Sequence, residues 1–197
     1  YRGPMGGTGD NMRPVGTDAL AQLLDAQVRT DARIRNCDYL TARLADVPGI
    51  TPPYVRPGYK HAYHMYTCLW DAEVTGVSRA RFLQALNAEG VYAVAYVMDA
   101  NYRFAPESQP LQAAGPIHLR TIFQERNLYG KGCPFLCPHV KNPPEYRRGD
   151  LPVTEDIYHK EFSLIQPHLS PPCDEKDMDL ILEAIYKVLD HADELRD

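Results

Sequence analysis

The chain has 197 residues, 44% of them hydrophobic, and a formal net charge of -5. That is enough for one ordinary domain, and the acidic balance with scattered Lys and Arg argues against a phosphate-backbone binder, which needs a basic excess or stripe. No run reaches the roughly eighteen apolar residues of a membrane-spanning helix. The opening Tyr1-Arg2-Gly3-Pro4-Met5-Gly6-Gly7 lacks the apolar stretch of a signal peptide, and the five cysteines, an odd number, read as reduced thiols rather than a disulfide framework. A cytoplasmic protein is the expectation.

The first element in chain order organises the rest. Leu20, Leu24 and Val28, followed by Ile34, Cys37, Leu40 and Leu44, recur at helical spacing and predict one long amphipathic helix over residues 17–47. Gly16 and the capping hydroxyl of Thr17 would start it, and Val47-Pro48-Gly49 would end it, because proline cannot continue the hydrogen-bond ladder. Such a helix is longer than one small domain needs and is expected to bridge two bodies. A glycine-rich loop with no element before it marks the chain as the expected C-terminal portion of something larger.

Residues 49–58, with Pro52, Pro53 and Pro57, read as an extended linker. The aromatic, β-prone run 62–70 predicts a strand, 71–77 a turn around Gly76, and 79–89 a helix capped by Ser78, buried through Phe82, Leu83 and Leu86, and stopped by Gly90. Residues 91–98 read as a second strand. Residues 99–149, crowded with Pro, Gly, Tyr and Asn, form an irregular region of the kind that carries function. A helix is predicted over 152–162, a short strand over 163–165, and a final helix over 173–191 whose face is Met178, Ile181, Leu182, Ile185, Val188 and Leu189, with an acidic first turn suited to the helix dipole. The fold class is α+β: a small sheet of the strands around Tyr63, Val91 and Leu164, covered by helices on one side.

Three groups of residues could carry chemistry. Cys133, Cys137 and His139 lie at close spacing, and Cys173 and His168 could complete four zinc ligands, but prolines and the Phe-Leu content of the gap suit a packed loop better, so no metal is expected. Among the histidines outside that cluster, His61, His64 and His118, strand alternation makes His64 a satisfied structural residue, whereas His118 sits in the irregular region where ligand contacts concentrate. The entrance Gly6-Gly7-Thr8-Gly9-Asp10-Asn11-Met12-Arg13 is not a phosphate loop of standard kind; it is either a flexible lead-in or, through glycine amides, the Asn11 amide and the Arg13 fork, an anion site.

Taken together, Asn11-Met12-Arg13, Gln27-Val28, Arg35-Asn36, Tyr39-Leu40, Arg43-Leu44 and Val47-Pro48-Gly49-Ile50 resemble the DegT/StrS-type sugar aminotransferases. The resemblance continues through His61-Ala62-Tyr63-His64-Met65-Tyr66, the helix and turn 79–91, Pro116-Ile117-His118-Leu119-Arg120, Leu151-Pro152-Val153-Thr154-Glu155 and the helix 177–188, with an apparent insertion at 101–114. It implies the small domain of a fold-type-I aminotransferase, with a mostly antiparallel sheet. Residues 1–16 would be the tail of a large domain, 17–47 an inter-domain helix, and 48–197 the small domain. Pyridoxal phosphate is the implied cofactor and a homodimer the implied assembly, with an amino group passing from glutamate or glutamine to a keto-sugar or inosose.

Asn11 would contact the phosphate of the cofactor in the neighbouring subunit, Arg13 would lie beside it, and His118 would line the sugar pocket. Lys60, Lys131, Lys141, Lys160, Lys176 and Lys187 all lack the context of the family's Schiff-base lysine, so this chain alone is expected to be inactive. The alternative is a non-catalytic interaction domain derived from that family.

Overall fold

The computed structural model describes residues 12–96 and 116–196, apart from the side chains of 12–19 and of Leu24. Helix α1, Met12–Leu44, has 33 residues, about 50 Å at the standard rise. It begins five residues before the expected start. Pro14 falls in its first turn, where a missing amide costs nothing, and Gly16 and Thr17 lie within the helix rather than at its boundary. The start expected at Thr17 is therefore corrected.

The two halves of α1 differ. Cys37, Leu40 and Leu44 are fully buried and Ile34 partly so, as the periodicity predicts. Leu20 and Val28, expected on the same buried stripe, are instead 56% and 65% exposed, as is neighbouring Leu23. Periodicity marks an apolar face but not what covers it.

After α1 come strand β1, Ile50–Thr51, and strand β2, Tyr66–Trp70. β1 falls in the stretch read as linker: Ile50 pairs with Trp70 and Thr51 with Leu69. The turn expected over 71–77 contains a one-turn helix, α2, Ala72–Thr75, capped by the Asp71 carboxylate on the amides of Glu73 and Val74. Helix α3, Arg79–Ala88, starts on Ser78 and buries Phe82 and Leu86 as predicted, with Leu83 of the expected stripe only partly covered, and Gly90 follows its end in a left-handed conformation.

Strand β3 is only Ala93–Val94. The expected strand over 91–98 starts only at Ala93, because the Val91 amide bonds back to Leu86 and the Tyr92 amide donates to the His168 ring. Residues 97 and 98 lie outside the described residues.

The second half comprises a 3-10 turn, Ile117–Leu119, helix α4, Thr121–Glu125, helix α5, Pro152–Lys160, strand β4, Glu161–Leu164, short helix α6, Gln166–Leu169, helix α7, Glu175–Asp190, and short helix α8, Ala192–Leu195. α5 stops two residues before the expected end, because Glu161 and Phe162 join β4. There Phe162 pairs with Cys68 and turns its ring edge to Phe82, 5.1 Å between centroids. α7 opens with a capping box between Asp174 and Asp177 and buries the predicted face, with Leu189 partly covered.

The sheet has the order β1-β2-β4-β3 and is antiparallel throughout. Strand alternation sends Tyr66, Cys68 and Trp70 of β2, with Phe162 and Leu164 of β4, into one core with Leu40 and Leu44 of α1, Phe82 and Leu86 of α3, and Met178 and Ile185 of α7. Trp70 stacks on Phe82 at 3.9 Å and donates its indole N–H to the Val77 carbonyl. α1 is tied to the C-terminal region by Asn36, whose amide donates to the carbonyls of Leu169 and Cys173, and by Tyr39, which donates to Asp179.

Candidate functional site

His118 is placed by a short, stiff turn. Pro116 fixes its own backbone angle, its carbonyl receives the Leu119 amide at 2.8 Å, and the 3-10 turn that results points Ile117 outward and His118 inward. The His118 side chain is only 4% exposed. Its Nε2 lies 3.0 Å from Oε1 of Glu155, in the first turn of α5. The same oxygen accepts the Gly149 amide at 2.8 Å. Glu155 thus fastens both the turn and the end of the irregular region to α5.

The Gly149 amide, with a smaller contribution from His118, outweighs partial burial and holds the Glu155 carboxyl below the usual carboxylate range. Gln124 of α4 adds a second tie, donating to the carbonyls of His118 at 2.8 Å and Tyr146 at 3.0 Å. Phe123, Phe135 and Tyr146 meet edge to face beside it. The described part of the irregular region, from residue 116, is therefore a small body organised around His118. Nδ1 of His118 is buried and, among the described residues, has no hydrogen-bond partner.

The other predicted site residues are not brought to this point. Asn11 lies outside the described residues, and Arg13 is in the first turn of α1 with its side chain likewise outside them. The insertion at 101–114 is outside as well. His61 accepts the Tyr63 amide through Nδ1 and sets its ring edge-on to Tyr63, beside an open cavity of about 430 Å³ that Asp38, Arg56 and Lys60 also line. His64, expected to be a satisfied structural residue on strand alternation, is exposed on the bend before β2, which begins only at Tyr66. The alternation does not extend back to it, because Tyr63 turns the chain in a left-handed conformation, φ 48°.

The zinc-type residues are engaged separately. His168 accepts the Tyr92 amide, the Cys137 thiol faces the Pro134 carbonyl, and the Cys173 thiol faces that of Pro167. Among the described residues, no three His, Cys, Asp or Glu side chains gather to hold an ion. Of the lysines, Lys60, Lys160 and Lys187 pair with Asp31, Asp156 and Glu89 at the surface, and Lys131, Lys141 and Lys176 are exposed. None of the six is buried. The sequence reading missed Glu155 as a site residue. Its position in the acidic first turn of α5 was legible, but its partners lie 6 and 37 positions away.

Residues 14–116 match the DegT/DnrJ/EryC1/StrS aminotransferase family. The spore coat polysaccharide biosynthesis protein SpsC of Bacillus subtilis (strain 168) is 24% identical over 184 residues, 93% of this chain and 37% of that protein. Among solved structures, DesI in the presence of its TDP-sugar product superposes with a TM-score of 0.56 and 19% identity, over 89% of this chain and 35% of DesI. The putative sugar aminotransferase Spr1654 of Streptococcus pneumoniae, in its PLP-form, gives 0.54 and 16% over 88% of this chain and 34% of its own. The chain spans little more than a third of these relatives' length, and over that span the α+β fold is shared. The chain belongs to the DegT/DnrJ/EryC1/StrS aminotransferase family.

Proposed function

We propose that this chain is the C-terminal portion of a pyridoxal-phosphate-dependent aminotransferase that moves an amino group from glutamate or glutamine to a keto-sugar or inosose. The observation that carries the reading is the family match over residues 14–116, joined to likeness of fold along most of the chain. The presence of a TDP-sugar product with DesI and the PLP-form of Spr1654 favour a nucleotide-linked sugar and that cofactor. When bound, the cofactor supplies the electron sink for amino transfer.

In this proposal residues 1–16 end a large cofactor-binding domain, 17–47 cross to the small domain, and 48–197 form it. The exposed Leu20, Leu23 and Val28 are consistent with a face that another body covers. The enzyme is a homodimer in which Asn11 contacts the phosphate of the cofactor held by the neighbouring subunit, with Arg13 beside it as a fork for anionic groups. His118 lines the sugar pocket. This chain alone does not transaminate, since its lysines are at the surface. Five unpaired thiols suit a reducing, cytoplasmic setting.

The test is to express the full reading frame that carries these residues, with pyridoxal phosphate, and offer it glutamate or glutamine with a panel of TDP-linked keto-sugars and inososes. Amino-sugar formation detected by mass spectrometry, absent with the 197-residue chain, is the expected result. A protein with no pyridoxal absorbance and no amino product across the panel overturns the reading.

A further inference from the structure

We propose that the cleft between α1 and the loop 55–63 is a binding site for a free α-amino acid with an apolar side chain, its carboxylate on Arg56 and its ammonium on Asp38. The cleft has a volume of about 430 Å³, with Ile34 and Asp38 of α1 on one side and the loop on the other. That falls in the lower part of the range for small-molecule pockets, about 300–1,000 Å³. The loop is pinned to α1 along its length. Lys60 pairs with Asp31 at 2.6 Å, Arg33 donates to the Ala62 carbonyl at 2.8 Å, and the Tyr63 hydroxyl donates to Oδ1 of Asp38 at 3.3 Å. Ahead of these ties, the Tyr59 amide closes a turn onto the Arg56 carbonyl at 3.0 Å.

The charges on this frame are not all spent. Asp31 accepts from Lys60 on one oxygen and from Gln27 on the other, so that pair is satisfied within itself. Arg56 and Asp38 differ. Both line the cleft, and among the described residues neither has an ion-pair partner, nor do they pair with each other. Arg56 sets its guanidinium over the Tyr59 ring, 5.9 Å from the centroid, and Asp38 gives one oxygen to Tyr63 and keeps the other. His61 adds a donor. Its Nδ1 accepts the Tyr63 amide at 3.2 Å, so the neutral ring carries its proton on Nε2.

A cleft that holds one unpaired cation and one unpaired carboxylate matches a molecule that carries both charges and is neutral as a whole. Inorganic phosphate or a simple carboxylate would meet Arg56 and the His61 donor but leave Asp38 facing an anion, and a simple amine would leave Arg56 facing a cation. A zwitterion answers both groups, and the planar guanidinium fork suits its carboxylate. The remaining wall sets the side chain. Ile34, Val55, Pro57 and the ring of Tyr59, which is 69% exposed, present apolar surface with no further unpaired charge, so an aliphatic or aromatic side chain gains by covering it. This proposal does not depend on the aminotransferase reading.

Equilibrium dialysis of labelled leucine and phenylalanine against the full-length protein tests it, after borohydride treatment so that a cofactor aldehyde cannot condense with an amino group. One saturable site per chain is expected. N-acetylleucine, which lacks the ammonium, and leucinamide, which lacks the carboxylate, are each expected to bind at least about tenfold more weakly, the scale of one charge-assisted hydrogen bond. Inorganic phosphate is expected not to compete. Arg56→Gln and Asp38→Asn are expected to weaken leucine binding by a similar factor, whereas Lys187→Gln, at a surface pair on α7, leaves it unchanged. If Asp38→Asn fails to fold, Arg56→Gln, at an exposed position, still decides. No saturable binding of either amino acid, or leucine binding untouched by Arg56→Gln, overturns the site. Leucinamide or N-acetylleucine binding as tightly as leucine, or displacement of leucine by phosphate, overturns the zwitterion assignment. None of these results bears on amino transfer.

Discussion

Phe82→Ala tests how the small domain is held together. Phe82 is fully buried, stacked on Trp70 at 3.9 Å and 13° and met edge-on by Phe162, so one ring joins α3 to both central strands. Truncating a buried Phe to Ala typically costs about 3–5 kcal/mol in lost transfer energy and residual cavity. Against a total stability of about 5–15 kcal/mol this is roughly a fifth or more. For a domain of this size it corresponds to a fall of about 6–20 °C in Tm, at about 2–4 °C per kcal/mol. Urea unfolding followed by far-UV circular dichroism is the suitable assay, because the fluorescence of Trp70 itself changes when its stacked neighbour is removed. Gln84→Ala, exposed on the same helix, is the control and is expected to stay within about 0.5 kcal/mol. A loss below about 1 kcal/mol for Phe82→Ala, or an equal loss for the control, would refute the assignment of this stack to the centre of the core.

Gly49→Ala and Gly58→Ala both place a side chain at positive φ, but only at Gly49 would the new Cβ collide with the Thr75 methyl, while Gly58 faces open space; urea midpoints should rank Gly49→Ala as clearly the more destabilising, and equal midpoints would contradict the close approach. Asp174→Ala removes the capping box of α7 and should cost about 1 kcal/mol by the same measurement. Cys37 and Cys68 are buried, and burial pushes the Cys37 thiol up to about 12 and raises that of Cys68 as well. A disulfide reagent at about pH 8 should therefore label no more than Cys133, Cys137 and Cys173 in the native chain and all five only after unfolding. Because Glu155 is held below the usual range, its contribution to holding the turn is complete above the unfolded value and lost as pH falls through the lowered folded value. The Gly149 amide shift should titrate with a midpoint below the ordinary glutamate value of about 4.3, and a midpoint at or above it would contradict the geometry.

What the sequence made legible follows from where each signal originates. Local chemistry was readable: Ser78 at the start of α3, Gly90 after its end, and the acidic first turn and apolar face of α7 all act within a few residues of themselves. Boundaries set by long-range pairing were not. Phe162 continues the helical spacing of α5, yet it belongs to β4 because Cys68 and Phe82 hold it there. β1 is two residues long and has no periodicity of its own; only its pairing with Leu69 and Trp70 makes it a strand. The stripe of α1 was correctly seen as apolar, but burial depends on a neighbour, and only the half from Ile34 onward has one among the described residues. At the site, His118 stood out through its proline-flanked motif. Glu155 did not, since a carboxylate early in a helix has a sufficient local explanation in the helix dipole.

The most direct measurement of the central claim is a crystal structure of the full-length protein with pyridoxal phosphate bound. The account predicts a dimer in which α1 runs from a lysine-bearing domain into the small domain, and in which the Asn11 amide lies within hydrogen-bond distance of the cofactor phosphate held by the other subunit. A structure with Asn11 and Arg13 turned to solvent, or with this region standing apart from any cofactor-binding domain, would contradict it.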